Sequence, residues 1–301
     1  MRRGLLVGIV AGVLVGAVLI YLLAVPGRLA SDYKERAEPE HERVEQALDP
    51  VYDTFGRQTL GWDNRPIEKA DGPGEYVRAI EKVTRQHLRD LAPARRAINR
   101  AQRTLEDIDE EKLTETPDWP LLGGRGELRE AEEIAGREKD YLRKGRRFLK
   151  DYRRLIDYEI DQARFYRRVG ITIGRGAVRA RDADTPSEFS GTVDRNVREV
   201  AAQVRRFRKL KAPPERRAEH RNIAATIDFV IGELRRLSNA VRRLDLEAAD
   251  QVDNRLARGS KPYDRRTQLH FRRLISRSTY VRQIRDLERR QGRIARAYDD
   301  L

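Results

Sequence analysis

The sequence predicts an all-α protein: an N-terminal transmembrane helix followed by an elongated bundle of about six long amphipathic helices. Three observations carry that prediction. Residues Gly4 to Val25 hold no charged side chain. Beyond them apolar residues return every three or four positions, the helical period, and no run of alternating apolar and polar residues argues for a strand. Charged residues make up 37% and aromatics 7% of the 301 residues. With apolar positions spaced so regularly, that balance fits charged helices with one buried face rather than a disordered chain.

The twenty-two residues from Gly4 to Val25 reach about 33 Å at 1.5 Å per residue, close to the roughly 30 Å hydrocarbon core of a bilayer. A cleaved signal peptide carries a shorter apolar stretch and a small-x-small site. Here cleavage after Ala30 would set Arg28, and cleavage after Ala24 would set Leu22, where a small residue is wanted. A retained span is therefore expected, ended by Pro26-Gly27. Arg2 and Arg3 face Arg28, Lys34, Arg36 and Arg43 across it, so the charge rule barely orients it. A two-arginine tail before an N-terminal span argues that residues 1–3 stay in the cytoplasm and that 31–301 is an extracytoplasmic bundle at the plasma membrane, with a sub-boundary near 173–185. Gly4, Gly8, Gly12 and Gly16 form one groove at fourfold spacing, which argues for homo-oligomerisation through close helix packing; glycine is also common in such helices for other reasons.

A first helix is expected from about Ser31 to Phe55 with Tyr33, Ala37, Val44, Leu48, Val51 and Phe55 inward, bent or divided at Pro39 and Pro50. Gly56 to Gly74 reads as a loop. A second helix, from about Glu75 to Leu113, carries one stripe through Val77, Ile80, His87, Leu91, Ile98, Leu105 and Ile108, with a kink at Pro93. The third is the most regular. Leu128, Ala135, Leu142, Leu149, Ile156 and Ala163 stand seven apart, with Ala131, Tyr152 and Tyr166 on companion positions and Ile134, Tyr141, Phe148 and Leu155 alongside, a seam that demands a packed helical partner. Thr185-Pro186-Ser187-Glu188 has the form of a capping box, so a fourth helix starts there. Pro213-Pro214 stops it. A fifth then runs to about Arg258 with Ile223, Ile227, Leu234, Val241, Leu244 and Val252 inward, and a sixth from Tyr263 to Tyr298.

Motifs for catalysis were sought by the geometry they need. A zinc-protease helix needs two His one turn apart around a Glu, but His41, His87, His220 and His270 are widely separated. Glu38 and His41 have the Glu-x-x-His spacing of carboxylate-bridged metal bundles, yet the second copy those bundles use is missing. His87 on an inner stripe reads as a core histidine. The Gly-rich stretches 122–126 and 170–176 lack the Lys-Ser/Thr of a phosphate loop and read as helix breakers. There is no cysteine and no Gly-x-Ser-x-Gly turn. The expectation is a non-enzyme with no cofactor and no metal.

Lysine and arginine number 63 against 49 acidic residues, and without Arg2 and Arg3 the balance is still 61 against 49. That surplus attracts polyanions, and the location of the domain decides which: wall polymer or lipid headgroups outside, nucleic acid only if the domain is cytoplasmic. The sharpest candidates are Arg143, Lys144, Arg146, Arg147, Lys150, Arg153 and Arg154 on the third helix and Arg205, Arg206, Arg208, Lys209 and Lys211 on the fourth. The competing reading is a solvated helix face neutralised by neighbouring acids.

Leu210-Lys211-Ala212-Pro213-Pro214, followed by Glu219-His220 and a long Ala/Leu/Arg helix, resembles a pattern in poorly characterised membrane-anchored or exported helical proteins of actinobacteria. The resemblance covers roughly residues 190–258. It implies envelope placement and a helical fold, and it brings no catalytic residues. The expected role is a structural or interaction module at the cell envelope, with anionic-polymer binding as the alternative.

Overall fold

The computed structural model describes the backbone of residues 2–57, 65–117, 126–252, 254–256 and 279–301, and their side chains except those of 2–24, 56, 57, 127 and 279. Every regular element among them is helical. In order these are α1 (Arg2–Arg57), α2 (Arg65–Glu68), α3 (Pro73–Glu106), α4 (Glu110–Thr114), α5 (Gly126–Arg181), α6 (Pro186–Arg208), a 3-10 turn (Pro214–Arg216) and α7 (Arg217–Arg242). Residues 246–252 are helical again (α8), and α9 (Thr279–Asp300) is the last element. The all-α bundle is thus observed. Among the described residues no helix is long and apolar enough to cross a membrane. The expected span at Gly4–Val25, and with it Gly4, Gly8, Gly12 and Gly16, falls where side chains lie outside the described residues, apart from Val25.

Several boundaries differ from the sequence reading. Pro26, Pro39 and Pro50 lie inside α1 without dividing it. An interior proline costs a helix about 3 kcal/mol. Pro39 and Pro50 sit on the exposed face, where water can take up the carbonyls they free, while Tyr33, Ala37, Val44, Leu48 and Val51 hold the other face in the core. The second helix ends at Glu106, and α4 brings Leu113 into the core separately.

Gly170, Gly174 and Gly176 do not break α5. They serve close packing: a Cβ on Gly170 would lie 3.0 Å from Ile80, and one on Gly174 or Gly176 would collide with Val77 or with the Asn196 amide. The fifth helix stops at Arg242. Leu244 takes φ 58°, with Leu244 N–H donating to Val241 at 3.0 Å and Asp245 N–H to Ala240 at 3.0 Å. This is a Schellman ending with leucine where glycine is usual, and Leu244, expected inward, is 71% exposed.

The chain divides into two compact units: Met1–Thr54 with Ala97–Lys150 and Tyr280–Leu301, and Phe55–Arg96 with Asp151–Thr279. The first unit buries Tyr33, Leu48, Ile98, Leu105, Leu142, Leu149, Leu287 and Tyr298, among others. The second is built around Phe165, Val169, Val193, Val197, Val200, Val204, Phe207, Ile223, Ile227 and Ile231, the valines of α6 lying on one stripe. The Thr185 cap forms, its side chain accepting from Glu188 N–H at 3.2 Å, while Glu188 Oε2 returns to the residue before the cap and accepts from Asp184 N–H at 3.1 Å.

Candidate functional site

The heptad seam of α5 is apolar except at a few places. Counting by sevens from Ala131, the companion positions are 138, 145, 152, 159 and 166; they hold Glu138, Gly145, Tyr152, Glu159 and Tyr166. Both glutamates are buried, with 0% and 1% exposure. A buried carboxylate survives only where charge or hydrogen bonds compensate its lost hydration. Each unit supplies that compensation differently.

In the first unit His41, on α1, forms an ion pair through Nδ1 with Glu138 Oε1 at 2.6 Å and through Nε2 with Glu45 Oε1 at 3.1 Å. The Tyr298 hydroxyl donates to Glu138 Oε1 at 3.1 Å. The Tyr33 hydroxyl donates to the Leu113 carbonyl at 2.8 Å, and Lys34 reaches the Tyr298 carbonyl. The His41 ring lies 5.6 Å from that of Tyr298 and 5.9 Å from that of Tyr141. Burial alone would lower the His41 imidazole, but the bonds to Glu138 and Glu45 outweigh it and push its pKa up to about 9. His41 is therefore an imidazolium at neutral pH. Burial pushes Tyr33 up to about 12, and it raises Tyr141 and Tyr298 further, so these hydroxyls keep their protons.

In the second unit the seam acid meets an arginine. Arg216, in the 3-10 turn after Pro213-Pro214, pairs with Glu159 Oε1 at 2.6 Å and with Glu219 Oε2 at 2.6 Å. Gln162 donates to Glu219 Oε1 at 3.0 Å, and His87 Nε2 stands 3.9 Å from Glu159. Burial would lower the Arg216 pKa, yet the two carboxylates hold it above its usual value. His220 stacks on Phe207 at 4.3 Å between centroids and meets the Tyr158 hydroxyl at 3.2 Å; burial lowers its pKa. The Pro-Pro, Glu219-His220 pattern is thus one local structure: the prolines end the approach from α6, and the turn after them delivers Arg216, Glu219 and His220 to the core.

The surface cations have varied surroundings. Arg143 pairs with Asp140, Lys144 with Asp286 at 3.1 Å and Asp140 at 3.6 Å, and Arg146 with Glu110 at 2.7 Å and the Leu105 carbonyl at 3.1 Å. Arg153 pairs with Asp157 at 3.7 Å, Arg154 with Asp151 at 3.6 Å, and Arg208 with Asp228. Arg147, Lys150, Arg205, Arg206, Lys209 and Lys211 are exposed and have no ion pair with a described carboxylate. The set also divides between the units, 143–150 in the first and the remainder in the second.

Three clefts have mapped linings. One of about 510 Å³ in the first unit is acidic, lined by Glu45, Asp49, Tyr52, Asp53, Glu288 and Gln291. One of about 180 Å³ in the second unit sets Arg164, Arg168 and Arg206 around Phe165, Phe207 and Leu210, with the two phenylalanine rings stacked at 4.1 Å. A third, of about 170 Å³, lies between α5 and α6 and is lined by Arg175, Arg179 and Arg195. Among the described residues no group of three or more His, Asp or Glu side chains could hold a metal ion.

The chain matches no family model, no curated protein and no solved structure.

The two buried networks were missed in the sequence although the signal was present. Glu138 and Glu159 occupy seam positions, where an acid implies a buried partner; spacing alone does not name that partner. His41 meets Glu45, one turn further on, and Glu138 on α5.

Proposed function

We propose that the chain is a non-enzymatic, single-pass membrane-anchored helical protein that acts as a structural or interaction module at the cell envelope. In this reading Gly4–Val25 is a signal anchor in the plasma membrane, residues 1–3 are cytoplasmic, and the helical bundle faces outward. The observation that carries it is the use made of the buried ionisable residues. His41, Glu138, Glu159, Arg216 and Glu219 each bind a partner from a distant part of the chain, which holds helices in register. Groups so engaged fix a scaffold rather than serve a substrate. The fourfold glycines Gly4, Gly8, Gly12 and Gly16 would let two anchors associate.

Membrane fractionation tests the reading. The full chain should sediment with membranes, resist alkaline carbonate extraction, and show a C-terminus open to protease only from outside the cell. Recovery as a freely soluble protein with its first thirty or so residues trimmed away would overturn it.

A second reading is favoured by the exposed cations without described carboxylate partners, Arg147, Lys150, Arg205, Arg206, Lys209 and Lys211: the bundle binds an anionic wall polymer or lipid headgroups. Retention on a polyanion column should then fall with modest salt and with the double reversal Arg205→Glu and Arg206→Glu, and indifference to the reversal would count against it. A C-terminus protected inside the cell would put nucleic acid in place of wall polymer.

A further inference from the structure

The cleft between α5 and α6 brings together three arginines that no described carboxylate neutralises. Arg175 and Arg179 stand one turn apart on α5, and Arg195 faces them from α6. All three are exposed, and among the described residues none has a carboxylate within ion-pair distance. Nearby arginines on the same two helices and on α7 do have one: Arg164 with Asp161 at 3.4 Å, Arg181 with Asp182 at 3.2 Å, and Arg242 with Asp194 at 2.6 Å. Like charges one turn apart on a helix repel, and a third brought up in a concavity adds to that repulsion.

The remaining lining is mostly polar, with Ile171 its one large apolar side chain. Thr172 and Thr192 contribute hydroxyls and Glu199 one carboxylate, so the charge of the lining is three positive less one negative. Asn196 also lines the cleft, seated where Gly176 leaves no Cβ to obstruct it. Its Nδ2 donates to the Ile173 carbonyl at 3.5 Å, a long and therefore weak bond. Its Oδ1 is buried with no hydrogen-bond partner among the described residues, an unpaired acceptor that a donor in the cleft reaches when the side chain turns outward.

We propose that this cleft is a binding site for a small hydroxylated phosphomonoester, such as a polyol or sugar phosphate. The guanidinium fork matches phosphate oxygens in pairs. The net charge of two positive complements a phosphomonoester dianion, and a ligand hydroxyl would satisfy Asn196 Oδ1. At about 170 Å³ the cleft is below the roughly 300–1,000 Å³ of sites for drug-sized ligands, which selects a small ester over a nucleotide. This site does not rest on the scaffold reading and shares no residue with the cations of the anionic-polymer reading.

Calorimetric titration of the full chain in detergent with glycerol 3-phosphate, inorganic phosphate and glycerol tests the proposal. Glycerol 3-phosphate should bind more tightly than inorganic phosphate, and glycerol not at all. Arg175→Ala and Arg195→Ala should each weaken the ester by about tenfold or more, the range expected for a lost charge-assisted hydrogen bond. Asn196→Ala should remove the preference for the ester over inorganic phosphate. Arg235→Ala, an exposed cation on α7 outside the cleft, should leave binding unchanged, and circular dichroism should show each variant folded. Absence of binding at millimolar ester, equal loss in Arg235→Ala and the cleft variants, or no preference for ester over phosphate would each overturn the proposal.

Discussion

The two units solve one problem in two ways. Each buries a glutamate at the same register position of the α5 seam, 21 residues apart, and each must neutralise it. The first uses an imidazolium, His41, held between Glu138 and Glu45 and boxed by Tyr298 and Tyr141. The second uses a guanidinium, Arg216, shared between Glu159 and Glu219. An arginine stays charged at any pH a protein survives, whereas a histidine does not. The contrast teaches that the same seam, read with the same period, can hold one lock that is indifferent to pH and one that alkaline conditions release.

The largest effect tests the permanent lock. Arg216→Ala leaves two buried carboxylates without their cation and should cost about 3–5 kcal/mol, the range for breaking a buried pair. Urea unfolding should show the loss equally at pH 6.5 and pH 9.5; a loss that vanished at either pH would erase the contrast between the units.

The releasable lock comes next. Because His41 is raised from an ordinary 6.5 to about 9, its contribution is complete below about pH 6.5 and is lost as the pH climbs through about 9. That interval corresponds to about 3 kcal/mol. Hydrogen exchange should show protection falling over 33–48 and 134–142 across this window while 155–163 and 219–231 hold theirs. His41→Gln should abolish the pH dependence there, and an unchanged slope in that variant would move the switch elsewhere.

A smaller change separates the histidine from its surroundings. Tyr298→Phe removes one hydrogen bond to the Glu138 carboxylate and should cost about 2 kcal/mol at pH 6.5, read by urea unfolding and confined to the first unit in hydrogen exchange. Smallest, and opposite in sign, is Leu244→Gly. It relieves a left-handed leucine and should stabilise by about 0.5–1 kcal/mol, with no pH dependence in thermal unfolding, because it touches neither lock.

Much of the fold was legible because helical period is a local property. The α5 seam from Leu128 to Ala163, the valine stripe of α6 and the Thr185 cap all stand as the residue pattern requires. Several departures from the local pattern come from glycine and proline, whose local cost does not decide where a helix ends. Pro39 and Pro50 stay within α1, and Gly170, Gly174 and Gly176 within α5, because what surrounds them offsets that cost. Leu244 shows the reverse, a strong helix former that ends a helix. Of the candidate site, the basic runs were visible from composition, but which cations are neutralised was not. Arg146 finds Glu110 thirty-six residues away, while Arg147 beside it has no described carboxylate partner.

The amino-acid order by itself determined the helical class, the apolar stripe of each helix and the basic surplus, since each follows from short-range spacing and counting. Tertiary structure alone decided which acid meets which cation. Glu138 with His41 and Glu159 with Arg216 are pairings between positions far apart in the chain, and Arg175 and Arg179 meet Arg195 only because α5 and α6 pack along one cleft. Their electrostatics depend on burial and distance, quantities that exist only once the helices have packed.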